Sequence, residues 1–247
     1  MYPNYKNKHL EESLFHPEDF LKYAKLNKKD FPQKYVLVFQ SSSEKYIKRK
    51  YNLKKTNTDG IEGIRLYKYR DIGIVKVVGI GAPHTCTLLE ELIALGAKEF
   101  IMVGTAGGLE DRGVYVCDRA IRDEGTSHHY ISPGKYAYPD SGLTKRFANS
   151  MKKMGLEYHK GTTWTVDAPY RETRAEVLRY KKDGVKTVEM EASALFSVAK
   201  YRKVKMAAAF SVSDLLIKEW KPEFESKHVA DGLNITIDAA INCLTQR

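Results

Sequence analysis

Short apolar runs alternate along this chain with longer segments in which apolar residues recur every three or four positions. The short runs are rich in β-branched residues and are bounded by polar or glycine turns, which predicts buried strands. One example is "YVLVF" at 35–39, which the polar turn "QSSSE" follows. The other predicted strands cover 63–69, 73–81, 99–108, 113–125 (one strand or a pair), 160–170, the residues before about 189, and 204–214.

Segments with helical periodicity separate these strands. In 84–96, Leu88, Leu92 and Leu95 fall on one face and Gly96 ends the helix. Thr85 or Thr87 can cap its start, because either hydroxyl can accept a hydrogen bond from a free backbone N–H. The other predicted helices cover 17–29, 44–52, 143–155, 171–182, about 189–202, and 223–245.

The alternating order of strands and helices predicts an α/β fold, a single-domain three-layer α/β/α sandwich with a central mixed sheet. We assign the domain to residues 35–247 and treat residues 1–34 as an N-terminal segment. In such sheets ligands bind where strands end. Three predicted strand ends carry chemically suggestive residues: Gly104–Gly108, Glu189–Glu191 and Ser213–Asp214.

Composition fits a water-soluble globular protein, with 43% hydrophobic and 29% charged residues among 247. No apolar run reaches the ~20 residues of a membrane helix, and the polar N-terminus does not resemble a signal peptide. The three cysteines are scattered and odd in number, which favours a reducing compartment and argues against a disulfide framework or a zinc site. We therefore expect a cytoplasmic protein with no membrane association and no metal.

The formal net charge of +10 favours acidic ligands, including phosphate groups. The positive residues are spread over several runs, and no nucleic-acid-binding motif accompanies them. A lysine-rich solvated surface therefore accounts for the charge, and we expect no nucleic-acid partner.

The segment "VEMEASALF" places Glu189 and Glu191 on one side of an extended strand end, with Met190 on the other. A carboxylate can accept hydrogen bonds from paired hydroxyls such as those of ribose, and a methionine offers a soft apolar contact to a sugar. The alternative is that both acids face solvent at a helix start, where the helix dipole favours negative charge.

The segment "FSVSDLL" places Asp214 at the end of an apolar strand. A carboxyl group that is desolvated in such a place can hold a proton and act as a general acid. The alternative is a helix cap, which Ser213 or Asp214 could supply.

Four ordered motifs, "GIGAPHTCTLLEELIALG", "VGTAGGL", "VEMEASALF" and "VSD", resemble segments of the nucleoside phosphorylase superfamily, in the branch of uridine phosphorylases and hexameric purine nucleoside phosphorylases. The resemblance runs from about Tyr35 to the C-terminus. It implies a nucleoside phosphorylase-like fold and a homo-oligomer, a dimer or a hexamer, whose active sites are shared between subunits.

The resemblance also implies roles for individual residues. Thr105 would contact both ribose and phosphate, and Gly104 would let the backbone approach them. Glu191 would bind the ribose hydroxyls, while Met190 packs on the sugar. The remaining substrate and phosphate contacts expected from the same segments are Ala106, Glu189 and Gly81.

In purine-cleaving members the aspartate that matches Asp214, next to Ser213, protonates the base at N7. A downstream arginine supports that acid, and the same offset falls here on Lys227, a weaker cation for this purpose. The segment "DEGTSHHY" is similar instead to a loop of the uridine branch.

The loop "TVDAPYRE" aligns with one that carries a base-stacking aromatic. Pro169 takes the place of that aromatic, and Tyr170 follows it. The Gln and Arg that read uracil correspond to Thr173 and Ala175, although Arg174 is one position away. The base stays open between purine and uracil, and Asp214 favours purine.

An N-terminal histidine of this family bonds the sugar 5′-hydroxyl of the neighbouring subunit. His16 is the candidate here, with His9 as the alternative. A surface position without such a role is the simpler interpretation of either histidine.

The arginines that hold phosphate in this family are missing. Ser43 stands where the first is expected, and Met102 replaces a second two residues before Gly104. An arginine from a neighbouring subunit, expected near residues 54–65, has no clear match. Three interpretations stay open: a substitute phosphate site formed by Ser41–Ser43 and Thr105 with nearby lysines, water as the nucleophile with Glu44 as the candidate base, or nucleoside binding without cleavage.

The favoured expectation is a pentosyltransferase that cleaves the N-glycosidic bond of a nucleoside with inorganic phosphate, without a further cofactor. A nucleosidase of the same fold is the alternative.

Overall fold

The computed structural model describes residues 5, 7–56, 61, 63–217 and 219–246. Its strands are β1 Lys34–Val38, β2 Lys54–Lys55, β3 Ile64–Tyr69, β4 Ile72–Val77, β5 Glu99–Gly108, β6 Val114–Asp123, β7 Tyr136–Ala137, β8 His159–Val166, β9 Val185–Glu189, β10 Lys205–Leu216 and β11 Trp220–Pro222. Its α-helices are α1 Pro17–Tyr23, α2 Ser41–Lys50, α3 Ala82–Ala94, α4 Ser141–Lys153, α5 Arg174–Lys182, α6 Ala192–Arg202 and α7 Lys227–Thr245.

The central sheet is mixed and partly closed. Its strand order is β11-β10-β6-β8-β9-β5-β1-β4-β3-β2, and β7 pairs with β6. Strand β10 also pairs with β5, so β5, β10, β6, β8 and β9 form a ring of paired strands. The side chains of α3 and α6 pack in one apolar cluster and those of α2, α4 and α7 in another. The predicted three-layer arrangement with a mixed sheet is confirmed.

Several predicted boundaries were wrong in detail, and the structure decides the alternative left open for 113–125. The first helix ends at Tyr23, because the chain turns into the left-handed region at Lys25 (φ 57°) and then forms a short 3-10 turn at Lys28–Asp30. Helix α3 begins at Ala82, with Gly81 rather than a threonine at its N-cap position. The segment 113–125 contains one long strand, β6. Strand β10 continues past Asp214 to Leu216.

The continuation of β10 excludes the interpretation of Ser213 or Asp214 as a helix cap. Residues beyond Asp214 pair with β11 in an antiparallel hairpin, in which Leu216 lies opposite Trp220. Backbone groups next to Asp214 are therefore occupied by strand pairing.

Strand pairing brings the three predicted strand ends together. Asp214 of β10 and Val188 of β9 both lie opposite Gly107 of β5, and Thr165 at the end of β8 lies opposite Glu189. The parallel strands β1 and β4 end at the same edge as β5. Within the part of the chain that the structure describes, no helix is long and apolar enough to cross a membrane.

Candidate active site

Glu191 is buried and held by the loop that follows β4. The backbone N–H of Gly81 donates a hydrogen bond of 2.6 Å to Oε1 of Glu191. Gly81 has a φ of 95°, a left-handed conformation that glycine adopts without strain. Burial raises the pKa of the Glu191 carboxyl group. The half-buried Met190 precedes it at the start of α6. This contact joins the ends of β4 and β9 at Glu191.

Glu189 has a different environment, because both of its oxygens are bonded within the protein. Oε2 accepts hydrogen bonds from the backbone N–H groups of Glu191 (2.8 Å) and Ala192 (2.7 Å). Oε1 accepts from the hydroxyl of Thr165 at 2.6 Å. Burial, together with the nearby Glu191, raises the pKa of Glu189 to about 8. Glu189 therefore supports the start of α6, and its expected role as a substrate ligand is revised.

Asp214 is buried at the opposite side of this strand end. Oδ1 accepts a hydrogen bond of 2.8 Å from the hydroxyl of Ser213, and Oδ2 accepts one of 2.9 Å from the indole Nε1 of Trp220. Ser213 Oγ also lies 3.4 Å from the carbonyl oxygen of the buried Ala106. Among the described residues, both hydrogen-bond donors to the Asp214 carboxyl group are uncharged.

The prediction that Lys227 supports Asp214 is wrong. The side chain of Lys227 is 89% exposed, and its Nζ pairs with Asp231 one turn further along α7. The donor that reaches Asp214 comes from Trp220, because the β10–β11 hairpin folds that residue back over the strand. A tryptophan six residues beyond the acid was the available sequence signal, but only the hairpin pairing reveals its use.

The loop after β8 carries an exposed aromatic ring and a half-buried carboxyl group. Tyr170 is fully exposed on a 3-10 turn at Pro169–Arg171, so within this chain it makes no stacking surface. Glu172, which follows that turn, is half-buried. Burial and the negative charge of Asp214 raise its pKa to about 7. Sequence inspection missed Glu172, because an acid in a polar loop carries no distinguishing pattern.

The strand end of β5 is open to the site at Thr105. Thr105 is half-buried, and its hydroxyl accepts a hydrogen bond of 2.9 Å from Nε2 of Gln40. A Cβ at Gly104 would lie 3.6 Å from the Phe39 ring and 3.8 Å from the Met102 methyl group. These are ordinary contacts, so Gly104 is not required by close approach inside this chain.

Two polar atoms near the start of α2 are buried without a hydrogen-bond partner among the described residues. They are Oγ of Ser43 and Oε1 of Gln40. Gln40 is the N-cap residue of α2, yet its side chain does not cap the helix. Free backbone N–H groups at such a helix start attract anions.

A buried lysine lies at the same end of the sheet. Lys76, near the end of β4, lies opposite Val38 of β1, and its Nζ contacts the carbonyl oxygen of Val77. Burial, and secondarily the charge of Arg65, lowers the pKa of Lys76. The neighbouring carboxylate of Glu44 is bonded to other side chains. Sequence inspection missed Lys76, because a single lysine within a strand is normally expected to point towards solvent.

Glu44 is poorly placed for the role of water-activating base. Its carboxylate accepts a hydrogen bond of 2.6 Å from Tyr67 and pairs with Lys48 (2.9 Å) and Arg65 (3.0 Å). The net effect of these partners is to lower the pKa of Glu44, which weakens it as a base.

The histidines His16 and His9 lie in the N-terminal segment. His16 precedes α1 as its N-cap residue, where the backbone N–H of His16 donates to Asp19. Its imidazole is 3.8 Å from Glu12 and partly exposed. Neither histidine contacts the site residues above within this chain.

Residues 53–243 match the family model described as the phosphorylase superfamily. The chain belongs to this superfamily. It is 36% identical over 108 residues to a uridine phosphorylase of Thermococcus kodakarensis, a match covering 42% of this chain and 39% of that protein. It is 28% identical over 174 residues to a guanosine phosphorylase of Halorubrum lacusprofundi, covering 65% and 72%. The first match therefore spans well under two thirds of its relative.

Solved structures agree with this superfamily fold. A purine nucleoside phosphorylase of Toxoplasma gondii superposes with a TM-score of 0.76 at 20% identity, covering 94% of this chain and 96% of the other. An AMP nucleosidase of Bacteroides thetaiotaomicron gives 0.75 at 20% identity, covering 94% and 97%. At such identities these likenesses establish the fold alone.

Proposed function

We propose that this superfamily member is a nucleoside phosphorylase, a pentosyltransferase that splits the N-glycosidic bond with inorganic phosphate and needs no further cofactor. The observation that carries the proposal is the placement of two buried carboxyl groups, Glu191 and Asp214, at one edge of the sheet. Glu191 is fixed by Gly81 at the end of β9, and Asp214 lies opposite Gly107 on β10. Between them β5 presents Thr105. Relatives that are nucleoside phosphorylases support the same reaction.

In this reaction a phosphate oxygen attacks C1′ of the ribose as the bond from C1′ to the base nitrogen breaks. The electron pair of that bond passes to the base, and a proton from Asp214 reaches N7 of a purine. Glu191 accepts hydrogen bonds from the ribose hydroxyls, with Met190 against the sugar. Interactions that stabilise the charge developing only in the transition state lower the barrier to this reaction.

A purine is favoured over uracil at the base position. Asp214 can supply the proton that a purine leaving group needs, and Ser213 and Trp220 orient its two oxygens. The expected readers of uracil fall on Thr173, whose hydroxyl is bonded to Glu176 in a capping box at the start of α5, and on Ala175. Neither residue can supply the missing contacts to a uracil ring.

The phosphate position is proposed at the start of α2, with Gly81 and Thr105 on its sugar side. Ser43 and Gln40 offer buried polar atoms that have no partner among the described residues, and Lys76 offers a buried amino group in place of the missing arginines. A lysine whose neighbouring carboxylate, here Glu44, is paired with other groups can bind phosphate through charge-assisted hydrogen bonds.

We further propose a homo-oligomer in the cytoplasm, with residues 1–34 as an arm that reaches a neighbouring subunit. Leu14 is fully exposed, and Phe15 and Tyr23 are 72% and 84% exposed. Such apolar groups in one segment favour burial against a partner. In such an oligomer, His16 of the arm and Tyr170 of the loop after β8 would complete an active site that is shared between subunits.

The reaction is tested with inosine, adenosine and uridine, each with and without phosphate. Ribose 1-phosphate formed only in the presence of phosphate supports the proposal.

Replacing Asp214→Asn is expected to lower kcat by about a hundredfold, within the usual range for a general acid, with little effect on KM. An unchanged kcat in this variant would remove Asp214 as the acid.

A nucleosidase that uses water is the second candidate. The specific observation in its favour is Met102, a buried apolar residue where an arginine is expected. Free ribose, released at the same rate in phosphate-free buffer, would support this candidate. Nucleoside binding without any product over a long incubation would indicate a non-catalytic binding protein.

A further inference from the structure

We propose that Arg65 and Lys76 form the pair of cations that binds the phosphate co-substrate, and that Glu44 holds Arg65 in the free protein as a competing internal anion. Removing the charge of Glu44 should therefore tighten phosphate binding. This inference rests on the proposed function, and it assigns the residues that set the affinity of its phosphate position.

Arg65 and Lys76 lie directly opposite each other in the antiparallel strand pair β3–β4. Residues in this relationship project from the same face of a sheet, and two like charges placed there repel each other. The Lys76 side chain is buried, so solvent ions screen this repulsion poorly. An anion bound between the two cations removes the repulsion, so the pair favours an anionic ligand.

The same row of the sheet leads to the proposed active site. Lys76 lies opposite Val38 of β1, and Val38 lies opposite Val103 of β5. Thr105 is two residues further along β5, on the same face as Val103, and it accepts the hydrogen bond from Gln40. The pair of cations and Thr105 therefore belong to one face of the sheet, the face against which α2 packs.

A carboxylate of α2 already occupies one of these cations. Oε2 of Glu44 is 3.0 Å from a guanidinium nitrogen of Arg65. Oε1 accepts a hydrogen bond of 2.6 Å from Tyr67 and pairs with Lys48 at 2.9 Å. Glu44 belongs to the first turn of α2, so Arg65 lies within one side-chain length of the free N–H groups of that turn. The single charge of Glu44 is thus shared by two cations.

Phosphate competes with Glu44 for Arg65 and not for the other partners of that acid. The Arg65 side chain is 45% exposed and can turn towards a ligand, and its guanidinium offers two parallel N–H groups to phosphate oxygens. Glu44 then keeps the hydroxyl of Tyr67 and the amino group of Lys48. The hydroxyl of Ser43, which is buried without a hydrogen-bond partner among the described residues, is a further donor in the same turn.

The test measures the KM for inorganic phosphate with the full-length protein at saturating nucleoside. Glu44→Gln keeps an acceptor for Tyr67 and removes the charge that competes for Arg65. The KM for phosphate is therefore expected to fall by about fivefold, the upper range for a partly exposed ion pair. Arg65→Met is expected to raise it by about tenfold, the loss of one charge-assisted hydrogen bond. The KM for the nucleoside should stay within about twofold of wild type in both variants.

Glu99→Gln is the matched control. The Glu99 side chain is 13% exposed, against 10% for Glu44, and it also pairs with two cations, Arg146 at 2.8 Å and Lys205 at 3.0 Å. It lies at the start of β5, at the opposite edge of the sheet from the proposed site. The control should keep the wild-type KM for phosphate. A fall as large as that in Glu44→Gln would reveal a general effect of net charge and overturn the inference.

A double variant that combines Glu44→Gln with Arg65→Met gives a second readout that a merely structural role would not produce. Because Glu44 competes for Arg65, the tighter phosphate binding caused by Glu44→Gln should disappear when Arg65 is absent. The same gain with and without Arg65 would overturn the inference. A loss of kcat in Glu44→Gln with an unchanged KM for phosphate would also overturn it, and would assign to Glu44 the role of a base.

Direct binding separates this inference from the proposed function. Calorimetric titration with inorganic phosphate in low salt measures the affinity without catalysis. If no ribose 1-phosphate forms, but Glu44→Gln binds phosphate more tightly and Arg65→Met more weakly than wild type, the phosphorylase proposal fails and the inference stands. If ribose 1-phosphate forms with the same KM for phosphate in all variants, the reaction stands and the inference is overturned. Absence of phosphate binding in wild type and variants rejects both.

Discussion

The indole Nε1 of Trp220 donates a hydrogen bond of 2.9 Å to Oδ2 of Asp214. Trp220 reaches this position because β11 folds back on β10, with Leu216 opposite Trp220 in the hairpin. The acid proposed to protonate the base is therefore oriented by a neutral donor. An adjacent cation would hold the carboxyl group in its ionised form, whereas a neutral donor fixes its orientation with a smaller electrostatic effect.

Replacing Trp220→Phe is expected to lower kcat on a purine nucleoside by about tenfold, the loss of one hydrogen bond to a charged group. The KM should change by less than about twofold, because the indole acts on Asp214 and not on the ribose. Steady-state kinetics with phosphate in excess measure both values.

Lys227→Ala is the matched control for this prediction. Lys227 is exposed and paired with Asp231, so the variant should keep wild-type kcat and KM. A loss in Lys227→Ala as large as in Trp220→Phe would contradict the assignment and restore the lysine as the support of the acid.

The roles of Glu189 and Glu191 should separate cleanly in a second pair of variants. Glu191→Gln is expected to weaken nucleoside binding by about 10- to 100-fold, because it removes the charge from hydrogen bonds to the ribose hydroxyls. Glu189→Gln should bind nucleoside normally, since its carboxyl group bonds only within the protein. Calorimetric titration of both variants with the same nucleoside decides the question, and equal losses in both would refute the division of roles.

These two acids illustrate which parts of the molecule were predictable from sequence. Strands and helices were located largely correctly, because their periodicities are local. The two-residue spacing of Glu189 and Glu191 is visible in the sequence. It is equally compatible with two acids that both bind substrate and with one acid that binds substrate while the other supports the start of α6. The choice depends on Thr165 and Gly81, which lie far away in the chain and reach the acids only through strand pairing.

The residues that sequence inspection missed have a common cause. Trp220, Glu172 and Lys76 enter the site through a hairpin, an irregular loop and a strand register, and none of these produces a local pattern. The one expected support that failed, Lys227, was chosen by its offset from Asp214. The number of residues between an acid and its supporting side chain in related proteins does not identify that side chain here, because the β10–β11 hairpin lies between Asp214 and Lys227.

Protein stability should depend on pH through Glu189. Its pKa in the folded protein is raised from 4.5 to about 8, so the folded state keeps a proton that the unfolded state has lost. Stability therefore falls as pH rises between these values. Glu189→Gln mimics the protonated acid and should show a flatter dependence of Tm on pH in low salt. The variant should be at least as stable as wild type above about pH 8. A Tm profile parallel to that of wild type would show that Glu189 is ionised throughout.

Removing the whole side chain at the same position gives a different result. Glu189→Ala leaves the backbone N–H groups of Glu191 and Ala192 without their acceptor at the start of α6. The expected cost is about 1–3 kcal/mol in the free energy of unfolding, measured by urea denaturation. A variant as stable as wild type would mean that water or another group replaces the carboxylate.

Lys76 offers a prediction in which stability and ligand binding change in opposite directions. The lysine is buried, and its pKa is lowered by that burial and by Arg65, so its charge is held at a cost in the absence of an anion. Lys76→Met should therefore leave the free energy of unfolding unchanged or higher. If Lys76 replaces the missing arginines, the same variant should raise the KM for phosphate by about tenfold or more, the loss of one charge-assisted hydrogen bond.

The control for Lys76 is Lys48→Met, which removes a half-exposed lysine paired with Glu44 one turn along α2. It should keep the wild-type KM for phosphate, because Lys48 already has a carboxylate partner. Phosphate kinetics at fixed nucleoside, together with urea denaturation, measure both effects for both variants. A Lys76→Met protein that is stable and keeps its phosphate KM would place the anion elsewhere and favour water as the nucleophile.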